Sequence, residues 1–120
     1  MLTAKQVAYE TTKALDAKKG VDIKLLRIDR VSSLADYFII CTGTSNTHVK
    51  TLCDYAELAL ENCGEQLLGR EGHRGNSWEL LDFGSVVVHV FTEEARKFYD
   101  LERLWADAEV VDLEGVVLPG

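Results

Sequence analysis

Residues 77–105, SWELLDFGSVVVHVFTEEARKFYDLERLW, decide the fold of this chain. Two apolar strands meet at the turn Asp82-Phe83-Gly84-Ser85, and a short helix carrying Phe98, Tyr99, Leu101, Leu104 and Trp105 follows. Val86–Phe91 is apolar at every position except His89, so both of its faces need cover and it belongs inside a sheet. Thr92 is the expected cap of the last helix, with Glu93 and Glu94 favourably placed in its first turn. A chain of 120 residues has few helices with which to cover both faces. An uncovered apolar face is a site for a partner.

Working outward, a helix is predicted from about Ala4 to Lys18. Thr3 and Gln6 form its capping box, Gly20 ends it, and Ala4, Val7, Ala8, Thr11, Ala14 and Leu15 form its inner stripe. Strands follow at Ile23–Ile28 and Asp36–Thr42. The turn Gly43–Asn46 supplies a cap from Thr44, Ser45 or Asn46 for a second helix. Its core side carries Val49, Leu52, Cys53, Ala56, Ala59, Leu60 and Cys63, and Gly64 closes it. A short third strand is expected near Gln66–Gly69, an exposed loop over Arg70–Asn76, and a fourth strand at Ser77–Leu81. The order α-β-β-α-β-β-β-α predicts an α/β domain over residues 1–106. Its mixed sheet would have about five strands, with the long helices on one face and strands two and three as a crossover unit. Residues 107–120 read as a partly loose tail.

The net charge of −7 opposes broad phosphate neutralisation and hence a general nucleic-acid binder. The 47% apolar content supports one packed core. There is no secretory h-region and no apolar run of membrane-spanning length, so a cytoplasmic location is expected. Three cysteines, Cys41, Cys53 and Cys63, fall in apolar patterns without zinc-ligand spacing and read as buried packing groups in a reducing compartment.

Candidate chemistry is sparse. Gly43-Thr44-Ser45-Asn46 could cradle a phosphate, yet it lacks a Walker lysine, and an ordinary helix cap looks the same. The glycines of GREGHRG could approach RNA closely, but the element order and negative charge favour a loop at a protein-binding rim. Asp82-Phe83-Gly84 copies a kinase triplet without the rest of a kinase. His48, His73 and His89 are scattered, and His89 among valines reads as a satisfied sheet histidine. No nucleophile has a base nearby in sequence. Nothing in the spacing points to a catalytic site, a metal or a cofactor, although distant residues can still assemble one. Trp78, Leu80 and Asp82 share one face of strand four, Glu79 and Leu81 the other. Trp78 serves either as an interface anchor or to close the core. Helical spacing turns Phe98, Leu101 and Trp105 inward, leaving Tyr99 and Glu102 outward.

Four blocks resemble the ribosomal silencing factors, also called the Iojap-related proteins. They are SSLADYFIICTGTSNTHVK (Ser32–Lys50), Glu71-Gly72, WELLDFGSVVVHVF (Trp78–Phe91) and FYDLERLW (Phe98–Trp105). With the first helix they span nearly the whole chain. Ser85 departs from the aspartate usual after the turn glycine, which removes a carboxylate at the hairpin tip. The resemblance implies a nucleotidyltransferase-like fold without the catalytic carboxylates, since strand three reads QLLGR. It implies a binding role: docking on the large ribosomal subunit through ribosomal protein fourteen, steric block of small-subunit joining, and repression of translation when nutrients are scarce. It also implies a homodimer when free and little direct nucleic-acid contact. Trp78, Leu80 and Leu81 are the expected central contacts. Asp36, Tyr37, His73, Arg74, Tyr99 and Glu102 are the polar or rim candidates. A nucleotidyltransferase and an RNA-binding factor are the rival readings.

Overall fold

The computed structural model describes residues 2–73, 75 and 77–116, with only the backbone of His73. Helix α1 (Ala4–Ala17) begins at the expected box: Thr3 Oγ1 accepts from Gln6 N at 3.1 Å, and Gln6 Oε1 accepts from Thr3 N at 2.9 Å. Such a cap contributes about 1 kcal/mol. Val7, Ala8, Thr11, Ala14 and Leu15 of its inner stripe are buried, Ala4 only partly, and the Thr11 hydroxyl donates to Val7 O. The left-handed residue past the helix is Lys19 (φ 63°), not Gly20. Gly20 answers a different need, because a Cβ there would lie 2.6 Å from Cys41 Sγ.

The strands are β1 (Val21–Arg27), β2 (Tyr37–Gly43), β3 (Gly69–His73), β4 (Trp78–Asp82), β5 (Val86–Thr92) and β6 (Glu109–Val111). They form one sheet in the order β3-β4-β5-β2-β1-β6. Among the described strands only β2 and β5 run parallel, with Tyr37 opposite Val86 and Gly43 opposite Thr92. A parallel pair needs a long crossover. Helix α2 (Asn46–Asn62) and the β3–β4 hairpin supply it. Strands two and three are therefore not neighbours, contrary to the crossover unit expected from the sequence.

Two further expectations change. The third strand lies at Gly69–His73, inside the expected loop, because an edge strand needs only backbone pairing and GREGH carries no apolar alternation to reveal it. The sheet has six strands rather than about five, because Glu109–Val111 of the expected tail pairs with β1. Ser45, among the three cap candidates, accepts from His48 N and starts α2.

The sheet separates two cores. Helices α1 and α2 cover the first face, where Leu25, Ile39, Cys41, Leu52, Leu60, Leu81, Val86 and Val88 are buried. The second face carries Leu26, Phe38, Ile40 and Phe91, covered by α3 (Glu93–Tyr99), α4 (Leu101–Leu104) and the turn to β6. The two long helices thus share one face, as expected.

Candidate partner-binding face

Alternation along the strands sends Trp78 and Leu80 of β4, and Val87, His89 and Phe91 of β5, to the second face. The register sets Trp78 opposite Phe91, and Leu80 opposite both His89 and Glu71. Trp78 stacks on Phe91 (ring centroids 5.1 Å apart, 28°) and meets Tyr99 at 4.4 Å. Phe38 contacts the rings of His89 and Trp105 edge-on at 5.1 and 5.2 Å. The face is closed over β1 and β2 by α3 and α4, whereas Trp78, Leu80 and Val87 toward β3 remain only half-buried. Trp78 thus closes the second core through its contacts with Phe91 and Tyr99 while staying half-buried at the edge of the open part of the face.

Within this layer, Trp78 Nε1 donates to His89 Nδ1 at 3.2 Å. An indole only donates, so Nδ1 is the acceptor and the His89 proton sits on Nε2. Nε2 is buried without a hydrogen-bond partner among the described residues, so His89 is half satisfied rather than fully satisfied. Burial pushes the imidazole down to about 4. At neutral pH it is thus an uncharged acceptor that fixes the indole.

The cover over this face is held by polar contacts. Arg96, buried, donates to Asp22 O at 2.7 Å, Thr42 Oγ1 at 2.8 Å and Glu102 Oε1 at 2.8 Å. Glu102 also pairs with Lys24 at 2.7 Å, and the hydrogen bond from Arg96 holds its carboxyl below the usual range. Glu102 accordingly ties α4 to β1 and is not an open rim charge. Asp100 adopts φ 49° and splits the last helix into α3 and α4. This break overturns the uninterrupted helical phase: Tyr99 turns inward onto Trp78, while Phe98, expected inside, is 73% exposed.

The remaining expected contacts scatter. Leu81 faces α2 in the first core at 0% exposure and is not available as a central contact. Its neighbour Leu80 holds the opposite face. Tyr37 packs at the border of the first core, and Asp36 N donates to Ser85 O at the far end of β5. His73 lies opposite Trp78 on the edge strand; its side chain and all of Arg74 lie outside the described residues. Phe98, expected inside, and Glu94, expected only as a first-turn helix acid, line a notch with Tyr99, the ring that meets Trp78.

Arg70 holds the hairpin against α2. It donates to Glu79 and Glu57 and pairs with Asp54 at 2.8 Å. The phosphate-cradle reading of the β2–α2 turn meets an occupied backbone, because Thr44 N donates to His48 Nδ1 at 2.8 Å and His48 N to Ser45 Oγ. Burial pushes the Cys41 thiol up to about 12 and that of Cys53 higher still, so both act as packing groups. Cys63 departs from expectation and is exposed at the end of α2. Among the described residues no helix is long and apolar enough to cross a membrane.

A six-stranded mixed sheet with a closed aliphatic face and a half-open aromatic one defines a domain of the mixed α/β class. Residues 1–119 match the family model described as "Ribosomal silencing factor during starvation", and the chain belongs to that family. It is 36% identical over 113 residues to the ribosomal silencing factor of Bacillus subtilis, covering 94% of this chain and 96% of the relative. The corresponding protein of Halalkalibacterium halodurans is 38% identical over 104 residues, 87% of this chain and 89% of its own. A crystal structure of a Chromobacterium violaceum protein superimposes with a TM-score of 0.85 at 36% identity over 88% of each chain.

Proposed function

We propose that this protein docks on the large ribosomal subunit through ribosomal protein fourteen, and that its bulk there blocks small-subunit joining and represses translation under nutrient limitation. The observation that carries the reading is the half-open aromatic strip around Trp78 and Leu80 on a domain of net charge −7. Acidic surroundings raise the approach rate of a basic ribosomal protein, and apolar anchors slow its departure. Tyr99 supports Trp78 from behind, and Asp36, Tyr37, His73 and Arg74 are rim contacts in this reading. Nucleic acid contributes little, because the same charge repels phosphate. In the free protein a second copy covers the strip, giving a homodimer in the cytoplasm.

Co-sedimentation with isolated large and small subunits tests the proposal. Binding to large subunits alone is expected, with Trp78→Ala weakening it by about 2 kcal/mol or more in a protein that remains folded. Equal binding to both subunits, or to neither, overturns it.

A further inference from the structure

Beside Trp78, where β5 runs into α3, lies a notch of about 280 Å3 lined by Ser77, Thr92, Glu94, Ala95, Phe98 and Tyr99. That is below the ~300–1,000 Å3 of small-molecule pockets and suits a single side chain better than a cofactor. Its walls are two aromatic rings at 89°, centroids 5.0 Å apart, with Phe98 73% exposed. Its polar wall is the carboxylate of Glu94, which is exposed and makes no ion pair among the described residues. The neighbouring cation Lys97 pairs instead with Glu93 at 3.2 Å, and among the described residues no basic side chain lines the notch. The Thr92 hydroxyl is already committed to Ala95 N as the helix cap.

An exposed aromatic face beside an unpaired carboxylate favours a cation. The planar, weakly hydrated guanidinium fits better than an ammonium, lying flat on a ring while its N–H edge reaches the carboxylate. We propose that the notch takes an arginine side chain of the protein partner, next to the Trp78 anchor. This rests on the proposed docking to a basic ribosomal protein, and it names the group the partner must present. Glu94 would repel a phosphate at the same place, which separates a protein contact from an RNA contact.

The test compares large-subunit affinity of the full chain with that of Phe98→Ala, Glu94→Gln and Glu94→Lys. Both altered side chains are exposed, so the fold should persist. Phe98→Ala and Glu94→Gln should each weaken binding about fivefold to thirtyfold, and Glu94→Lys more. Wild-type affinity in all three overturns the notch while leaving subunit binding intact. Tighter binding by Glu94→Lys assigns the place to phosphate and overturns it too. Should the unaltered protein bind no subunit, the docking reading falls, and a titration of the free protein then decides the notch. N-acetyl-arginine amide should shift the Phe98 and Tyr99 ring resonances more than its lysine and citrulline counterparts, an effect lost in Glu94→Gln. Equal or absent shifts overturn the proposal.

Discussion

The two faces of the sheet are built from the same strands yet differ in kind. The first is aliphatic and shut: α1 and α2 bring Val7, Leu15, Leu52 and Leu60 onto Leu25, Ile39, Leu81 and Val88, all at 0–2% exposure. The second is aromatic, and its cover rests on the contacts of one buried arginine and on a helix broken at Asp100. A shut aliphatic layer supplies stability and offers nothing to a partner. An aromatic layer with polar supports and an unfinished edge gives up some of that stability and leaves rigid amphipathic anchors beside solvent. Adjacent residues of one strand separate these roles, since Leu81 belongs to the first face and Leu80 to the second.

That pair gives the largest predicted contrast. Leu81→Ala removes a fully buried side chain and should lower unfolding stability by about 3 kcal/mol, read by urea denaturation, while the folded protein keeps its ribosome affinity. Leu80→Ala should cost less stability and weaken large-subunit binding instead. Equal stability losses with no difference in binding would break the division between the faces.

The second face should also be the pH-sensitive one. Burial holds His89 at about 4, below the ordinary 6.5, so the unfolded chain takes the proton first. The stability tied to neutral His89 is complete above pH 6.5, falls as pH drops toward 4, and levels off below that. The loss across this window should be on the order of 3 kcal/mol. The folded imidazole itself takes the proton only around pH 4 and below, where Nδ1 can no longer accept from the Trp78 indole, so tryptophan fluorescence should change there. Denaturation at pH 7 and pH 4.5 should show a markedly smaller loss in His89→Gln than in the unaltered chain. Parallel loss in both would move the acid sensitivity to the paired carboxylates, of which Glu102 is held low by Arg96.

A somewhat smaller effect is expected from Arg96→Met, which keeps most of the volume but releases Glu102, Thr42 and the Asp22 carbonyl. Glu102 keeps Lys24, which limits the cost to about 2 kcal/mol. Hydrogen exchange should quicken in α3 and α4 and stay unchanged in α1 and α2. Uniform acceleration would mean that the two covers open as one.

Much of the first face was legible in sequence because its signals are local: the Thr3–Gln6 box, helical spacing in α2, and the apolar runs of β2 and β5. Family resemblance supplied the functional class from the same blocks. The errors share one cause, which is that they depend on backbone or on distant partners. Strand β3 has glycines and an arginine turned into an ion-pair cluster, so no alternation marks it. Strand β6 forms only because β1 offers an edge. Tyr99 and Phe98 exchange places because buried Ala95 and Arg96 set the phase of α3, with Tyr99 on their side, and Asp100 breaks the helix before Leu101 and Trp105 can carry that phase on. Leu80 and Leu81 were separable by parity but not assignable, since choosing the open face requires knowing where α3 and α4 land.

The smallest predicted effect distinguishes rim from anchor on the open side. Glu71 is exposed on the edge strand and lies opposite Leu80, so its carboxylate borders the strip without forming its floor. An exposed charge acts mainly on encounter, where its influence is screened over roughly 8–10 Å at physiological salt. Glu71→Gln should slow association with large subunits by about twofold to threefold at low salt and leave dissociation unchanged. The difference should vanish in ~0.5 M salt, where screening is nearly complete. Leu80→Ala should show the inverse pattern, faster dissociation at every salt concentration. If Glu71→Gln instead accelerates dissociation at high salt, the carboxylate is a desolvated contact, and the docked surface extends across β3 to the sheet edge.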